Sequence, residues 1–471
     1  MAGVVPFERV AIDLAGPPLR VHLVGIGGAG MSAIAEVFTA CGHHVSGSDR
    51  GDSPMLARLR SHGIDARVGH DAANVVGADV VGVSTAIRAD NPEVVAALEA
   101  GIPVAHRYDL LAAIGATRRT LSVSGTHGKT TTSALLALAL DAAGLDPSFI
   151  IGGNVAGFGS GSRWTDGEWL VLEADESDST FLAPPRAGAI ITNIEPDHLD
   201  HHGSFEALLD AFQRFGEETD GPVLVCADDV GAAPLLDTVA TSYSYGTSAL
   251  ASFMIGDIET GADGTRWTVT DLDGVVHPLS IGLPGHHLVL NATAAFALAT
   301  MIGADPVGAA AGIARYAGVG RRFEARGEAG GVSFVDDYAH MPTEVRAVLQ
   351  AARTAVGAGR IVAVFQPHRY SRTSSVWREY AEAFDGADVV VLTEIYAAGE
   401  EPVPGVSGEL IADAVRRARP HADVRWMPDR ESLLVGLPAL LEAGDLCLTM
   451  GAGDLTTLPD ALVAALGGDG A

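Results

Sequence analysis

Val-Ser-Gly-Thr-His-Gly-Lys-Thr-Thr (residues 123–131) is the stretch on which the reading of this chain turns. It continues the strand-like run 120–124 and opens an Ala- and Leu-rich helical pattern, so it reads as strand, glycine turn, helix. That arrangement cradles phosphate. Backbone N–H groups of the turn and the helix N-terminus face the anion, Lys129 neutralises it, and the Thr130 hydroxyl suits Mg²⁺. Gly125 and Gly128 enclose Thr126 and His127 only, two residues where the usual phosphate loop has four. Lys129 is also the only lysine in 471 residues; the other 29 basic residues are arginine. A quarter share of the roughly 25% charged fraction usual in soluble proteins would give about 30 lysines. Arginine's wide, flat guanidinium cannot replace a compact ammonium that must reach between phosphate oxygens. A plain turn with an exposed lysine is the alternative, and the residue's solitude argues against it.

Upstream, the strand-like run 21–24 enters Gly25-Ile-Gly27-Gly28-Ala-Gly30 and then a helical pattern over 31–40. Asp49 ends a second strand over 44–48, about 20 residues on, which matches the dinucleotide fingerprint. The turn fits any pyrophosphate, including that of a nucleotide sugar. Further βα units are expected around 79–84 and 101–105, with a junction at Arg118-Arg119. Strands over 169–172 and 189–192 end in Glu173-Ala-Asp175-Glu176-Ser-Asp178 and Asn193-Ile-Glu195-Pro-Asp197-His198-Leu-Asp200. Strand C-terminal ends of parallel sheets face the ligand crevice, and carboxylates there can hold Mg²⁺ beside phosphates. Residues 241–281 read as a small β-rich insert, followed by a helix over 291–301. A third α/β block starts near Gly331, with strands over 331–335, 361–365, 389–393 and 446–450. Its first strand ends in Asp336-Asp337-Tyr338-Ala-His340 and its second in Phe365-Gln-Pro-His368-Arg369-Tyr-Ser-Arg372, where the two arginines can clamp a carboxylate or phosphate.

The fold class is therefore α/β in three domains: a Rossmann-like domain over 1–117, a central P-loop ATPase-type domain with a small β insert over 118–322, and a Rossmann-like C-terminal domain over 323–471. A formal net charge of −29 argues against nucleic acid and anionic membrane partners. Three widely spaced cysteines, no signal-like start and no apolar run near the roughly 20 residues of a membrane span predict a cytoplasmic chain.

These motifs together resemble the Mur ligases, ATP-dependent amide ligases of peptidoglycan precursor synthesis. The resemblance rests on residues 22–32, Ser84-Thr-Ala-Ile with Asn91-Pro-Glu93, 125–132, 173–178, 192–200, Gly-Arg-Arg-Phe-Glu (320–324), 336–340, 365–373 and Tyr-Ala-Ala-Gly-Glu (396–400). It implies that Gly25, Gly27, Gly28, Gly30, Asp49 and Ser84 hold a UDP-sugar, and that Gly125, Thr126, His127, Gly128, Lys129, Thr130, Thr131, Asn291 and Arg322 hold ATP. Mg²⁺ would sit on Thr130 and Glu173, with a second ion near His198. Tyr338, His340, Arg369 and Arg372 would position the amino acid and the charge of the intermediate. Lys129, His198, His340, Arg369 and Arg372 are the expected catalytic set. The implied reaction joins L-alanine to the lactyl carboxylate of UDP-N-acetylmuramate through an acyl phosphate and a tetrahedral intermediate. Domain closure is expected to gather the substrates, in a monomer or homodimer.

Three positions depart from the family pattern. Sister ligases carry a carbamylated lysine near the second Mg²⁺, and the single lysine here is already used, which points to the alanine-adding branch. Met341 stands where a second histidine follows Tyr-Ala-His, and Leu288 where the first Asn of Gly-x-His-Asn-x-x-Asn belongs, leaving Asn291 a better adenine-side candidate than His287. The rival activities are a ligase that attaches a preformed tripeptide to the same UDP-sugar, an NAD-dependent dehydrogenase, and a non-catalytic nucleotide sensor.

Overall fold

Short apolar runs build three sheets in the computed structural model, which describes residues 9–261 and 263–467. In the first sheet, β1 (Arg20–Val24), β2 (His44–Asp49), β3 (Asp65–Val68), β4 (Val80–Val83) and β5 (Val104–His106) pair in parallel in the order β3-β2-β1-β4-β5. β1 is central and buried from Val21 onward, as a near-continuous apolar run in a parallel sheet requires. The helix Ala29–Ala40 follows it directly.

The second sheet begins with β6 (Arg119–Ser124), β7 (Ser148–Val155), β8 (Ser160–Arg163), β9 (Trp169–Glu173), β10 (Gly188–Ile191), β11 (Val223–Cys226) and β12 (Ser242–Gly246). Their order is β12-β11-β10-β6-β9-β7-β8, parallel throughout except for β8, which lies antiparallel to β7. β13 (Phe253–Gly261), β14 (Gly264–Thr270) and β15 (Val276–Ile281) complete the insert, although β12, its expected first strand, belongs to the parallel array. The helix Lys129–Ala142 that follows β6 buries every residue from Thr130 to Leu140. A helix apolar on all sides is a core helix, and each buried Leu contributes about 1.5–3 kcal/mol. It ends against Gly144, whose φ of +79° needs no Cβ.

The third sheet contains β16 (Glu324–Ala329), β17 (Val332–Asp337), β18 (Ile361–Phe365), β19 (Val389–Leu392), β20 (Asp423–Trp426) and β21 (Leu446–Met450), in the order β16-β17-β21-β18-β19-β20. The sequence made β17 the first strand of this block. β16 precedes it, antiparallel and with a register shift between Ala325 and Gly327. Glu-Ala-Arg-Gly-Glu-Ala has no apolar run to signal a strand, and an edge position tolerates that.

The chain clusters into two compact units. One holds the residues up to Gly256, Thr268–Leu279 and Leu290–Tyr316; the other holds Asp257–Trp267, Ser280–Val289 and the chain from Ala317. The first sheet and strands β6–β12 of the second lie in the first unit, and the core under β1 continues into Ile150, Leu170 and Leu172 of the second sheet. Residues 1–8 and 468–471, the outer ends of the expected first and third domains, lie outside the described residues. No described helix is long and apolar enough to cross a membrane.

Candidate active site

The turn between β6 and the helix Lys129–Ala142 is shaped by its glycines. Gly125 has φ +132°, and a Cβ there would stand 2.1 Å from Thr192 Oγ1; Gly128 has φ +81°, and its Cβ would stand 2.8 Å from Asn291 Oδ1. The residues after β10 brace this turn. Thr126 N donates to Asn193 O at 2.9 Å, His127 N to Asn193 Oδ1 at 2.7 Å, and Thr192 Oγ1 to His127 O at 2.6 Å. Glu195 N donates to Thr126 Oγ1 at 2.9 Å, and Glu195 Oε2 lies 3.1 Å from His127 Nε2. Part of the second acidic motif is thus a scaffold for the loop, a role the sequence reading did not assign to Thr192 or Asn193. Asn291, buried on the helix His286–Met301, backs onto the same turn, and Thr131 is buried on the helix the turn begins.

Lys129 Nζ donates to Gly125 O at 2.7 Å and Thr126 O at 3.1 Å, and pairs with Glu176 Oε2 at 2.9 Å. Burial opposes its charge, but Glu176, Asp175 and Glu173 outweigh that and push its pKa up to about 12. Burial raises the Glu176 carboxyl to about 7 in spite of Lys129, with Asp175 adding to the rise. Asp175 is half-buried; desolvation opposes its ionisation, yet Lys129 and then Arg107 hold its pKa below the ordinary value. One cation is therefore shared among several carboxylates, and it holds Asp175 down while burial raises Glu176. Thr130 Oγ1 donates to Glu173 Oε1 at 2.8 Å, and Gly152 N to Glu173 Oε2 at 2.6 Å. A hydroxyl and a carboxylate in contact at a phosphate loop are the hard oxygen donors Mg²⁺ uses alongside phosphate and water. His198 Nε2 lies 3.4 Å from Asp197 Oδ2 and 4.0 Å from Glu176 Oε1, on a residue with φ +55°. Among the described residues no group of three or more His, Cys, Asp or Glu suited to a metal ion occurs.

The first glycine turn lines a cavity of about 460 Å³, with Gly25, Gly28, Gly30, Asp49, His70, Ser84 and Arg107 in its wall. Gly27 faces inward instead: a Cβ there would meet Leu56 Cδ1 at 2.6 Å and Asp49 Oδ2 at 2.8 Å. Gly27 N donates to Asp49 Oδ2 at 2.9 Å and Arg50 N to Asp49 Oδ1 at 2.7 Å. Asp49 thereby gives one carboxylate oxygen to the glycine loop and the other to its neighbour's backbone N–H, where a dinucleotide reading would have reserved it for a ribose. Behind the cavity, wholly buried Glu93 accepts from Ser48 Oγ at 2.5 Å and Asn74 Nδ2 at 2.6 Å, with His70 Nδ1 at 3.2 Å. Burial opposes its ionisation, but the His22 ring at 3.6 Å and these hydrogen bonds bring its pKa down to about 2.

On the second unit, the ends of β17 and β18 bring together most of the other expected residues. The Tyr338 ring centroid is 5.0 Å from the Arg322 guanidinium carbon and 5.3 Å from the His340 ring, and His340 is 5.8 Å from His368. Arg372 Nη1 lies 3.1 Å from His368 Nδ1, and Arg369 Nε 3.0 Å from Glu400 Oε1. Burial and then the charges of His340, Arg372 and Arg369 drive the His368 pKa down to about 3, so its ring is neutral. Arg369 takes φ +69°, a strained conformation that aims it off the strand end. Of the departures, Met341 is buried at the start of the helix Pro342–Val356, and Leu288 is a core residue. His287 is half-buried, and desolvation, then His286 and Arg322, lower its pKa to about 4.

Residues 20–119 match the Mur ligase family catalytic domain, 123–299 the Mur ligase middle domain, and 321–453 the Mur ligase glutamate ligase domain. The chain belongs to the Mur ligase family. A UDP-N-acetylmuramate–L-alanine ligase of Kineococcus radiotolerans is 49% identical over 93% of this chain and 94% of its own, and one of Agrobacterium fabrum is 43% identical over 94% and 96%. The crystal structure of UDP-N-acetylmuramate-alanine ligase from Thermotoga maritima superposes with a TM-score of 0.80 at 29% identity, covering 95% of this chain and 99% of that one.

Proposed function

We infer that this chain is an ATP-dependent ligase that joins L-alanine to the lactyl carboxylate of UDP-N-acetylmuramate, releasing ADP and phosphate, in peptidoglycan precursor synthesis. The observation that carries the reading is Lys129 at the head of a buried helix, with Thr130 hydrogen-bonded to Glu173, on a chain whose full-length relatives bear that ligase name.

The chemistry follows from the groups present. A carboxylate is a poor acyl donor. Its oxygen attacks the γ-phosphorus of ATP, the bond to the β-phosphate oxygen breaks, and ADP leaves behind an acyl phosphate. Lys129 and the N–H groups of 125–128 would neutralise charge in that transfer, with Thr131 and Asn291 supporting the loop and Arg322 a further candidate for nucleotide binding. Thr130 and Glu173 would hold Mg²⁺, which when bound spreads the charge of the phosphoryl group; His198 is our candidate for a second ion. The neutral amine of alanine then attacks the carbonyl carbon, and the tetrahedral intermediate expels phosphate as the nitrogen loses a proton. Tyr338, His340, Arg369 and Arg372 would position the alanine carboxylate and the intermediate. Gly25, Gly28, Gly30 and Ser84 would line the UDP-sugar site, with Gly27 and Asp49 keeping its turn in shape. We place the domain limits at 117/118 and 322/323 and the enzyme in the cytoplasm, as a monomer or homodimer on small-molecule substrates.

Amino-acid-dependent ADP release with UDP-N-acetylmuramate tests the reading. Turnover with L-alanine and none with L-Ala-γ-D-Glu-meso-diaminopimelate is expected. Preference for the tripeptide, or NADH fluorescence enhancement on binding without ADP release, would overturn it.

A further inference from the structure

Arg107 carries no motif, yet it stands where two sites meet. It opens the helix Arg107–Gly115 and lines the cavity of the first glycine turn, where a Cβ on Gly30 would stand 3.3 Å from its Nη1. Its Nη2 reaches the loop after β9, donating to Asp178 Oδ2 at 2.9 Å and to Thr180 Oγ1 at 3.0 Å. Its Nε is buried and makes no hydrogen bond among the described residues. The side chain is 20% exposed and its partner Asp178 10%, so the pair is shielded from water and holds one geometry. Asp178 in turn accepts from Thr180 N and Thr180 Oγ1 through Oδ1, which leaves Oδ2 for the arginine. Nη2 is therefore committed to the loop that carries Glu176, while Nη1 remains for an anion beside Gly30. A guanidinium offers five donors in a fixed fork, so serving both at once needs no rearrangement.

We propose that Arg107 is a two-sided positioning residue: it binds the anionic part of the UDP-sugar and, through Asp178 and Thr180, ties that ligand to the acidic loop of the ATP site. The proposal rests on the assignment of the first cavity to the UDP-sugar. Asp178 then acts on the UDP-sugar without lining its cavity, by orienting Arg107.

Calorimetric titration of the full chain with UDP-N-acetylmuramate, alone and with a non-hydrolysable ATP analogue, tests this. Arg107→Ala is expected to weaken UDP-sugar binding about tenfold or more. Asp178→Asn should weaken it by several-fold, and the double variant no further than Arg107→Ala, because both act through one contact. The change in nucleotide affinity caused by the UDP-sugar should shrink toward none in both single variants. If Arg107→Ala does not fold, Arg107→Lys, which keeps the charge and loses the fork, carries the same comparison. Unchanged UDP-sugar affinity in the Arg107 variant, or additive effects in the double variant, overturns the inference while leaving the cavity assignment intact. A wild-type protein that binds no UDP-sugar overturns both.

Discussion

Residues 25–30 and 125–128 both turn a buried parallel strand into a helix through glycine, and the two turns differ in what surrounds them. Around the first, Asp49 spends its carboxylate on backbone N–H groups, and the cations in the cavity wall are Arg50 and Arg107. Around the second, a buried ammonium is held by Glu176, and a hydroxyl by Glu173. The first arrangement suits a pyrophosphate that is held and left unchanged. The second keeps a movable charge and a pair of hard oxygens next to the anion, which is what phosphoryl transfer demands. A glycine turn after a strand is thus a general anion seat; its chemistry comes from the side chains that face it.

Substitutions at each turn can break this contrast. The largest effect is expected from Lys129→Arg, which should lower acyl-phosphate formation by roughly 10³-fold while UDP-sugar binding persists. Rapid-quench detection of acyl phosphate at near wild-type rate would erase the distinction between the turns. Next comes the support of the first turn. Glu93 ionises at about 2 in the folded protein, so its contribution is present above the ordinary carboxylate range and is lost as pH falls toward 2. Glu93→Gln should destabilise the protein at pH 7 by on the order of 3 kcal/mol and flatten the acid limb of the stability curve, as read by denaturant melts across pH. Glu173→Gln should then raise the Mg²⁺ concentration needed for half-maximal ADP release by roughly 10–100-fold, leaving UDP-sugar affinity alone. The smallest effect belongs to Gly27→Ala, where a Cβ would crowd Leu56 and Asp49. It should cost about 1–3 kcal/mol of stability and raise KM for the UDP-sugar with KM for ATP unmoved, in steady-state assays. An equal rise in both would show that Gly27 shapes the second turn as much as the first.

Most of the interior was legible because buried parallel strands are short apolar runs: β1, β10, β17, β18 and β21 all announce themselves this way. The polar edge strands did not. Asp-Ala-Arg-Val at β3 and Asp-Val-Arg-Trp at β20 alternate over four residues only, Ser-Gly-Ser-Arg at β8 has no apolar residue, and all three hold their place through backbone pairing with a neighbour. The candidate site divides similarly. Lys129, Thr130, Glu173, Arg369 and Arg372 were visible because their motifs lie at strand ends. Glu176, Asn193 and Glu195 were within quoted motifs, but their partners were not, since Lys129 and Glu176 are 47 residues apart. Arg107 had no local signal at all.

The sequence by itself determined the α/β layers, the two glycine turns and the place of the single lysine at the head of the second, because periodicity, glycine and a unique lysine are local properties of the chain. Tertiary structure alone decided how charge is shared. It set Glu176 against Lys129, turned Thr192 and Asn193 into a brace for the nucleotide loop, gave both oxygens of Asp49 to backbone N–H groups, and put Arg107 between a cavity and an acidic loop 71 residues away. Electrostatic and hydrogen-bond energies depend on distance and burial in three dimensions, and neither is a function of spacing along the chain.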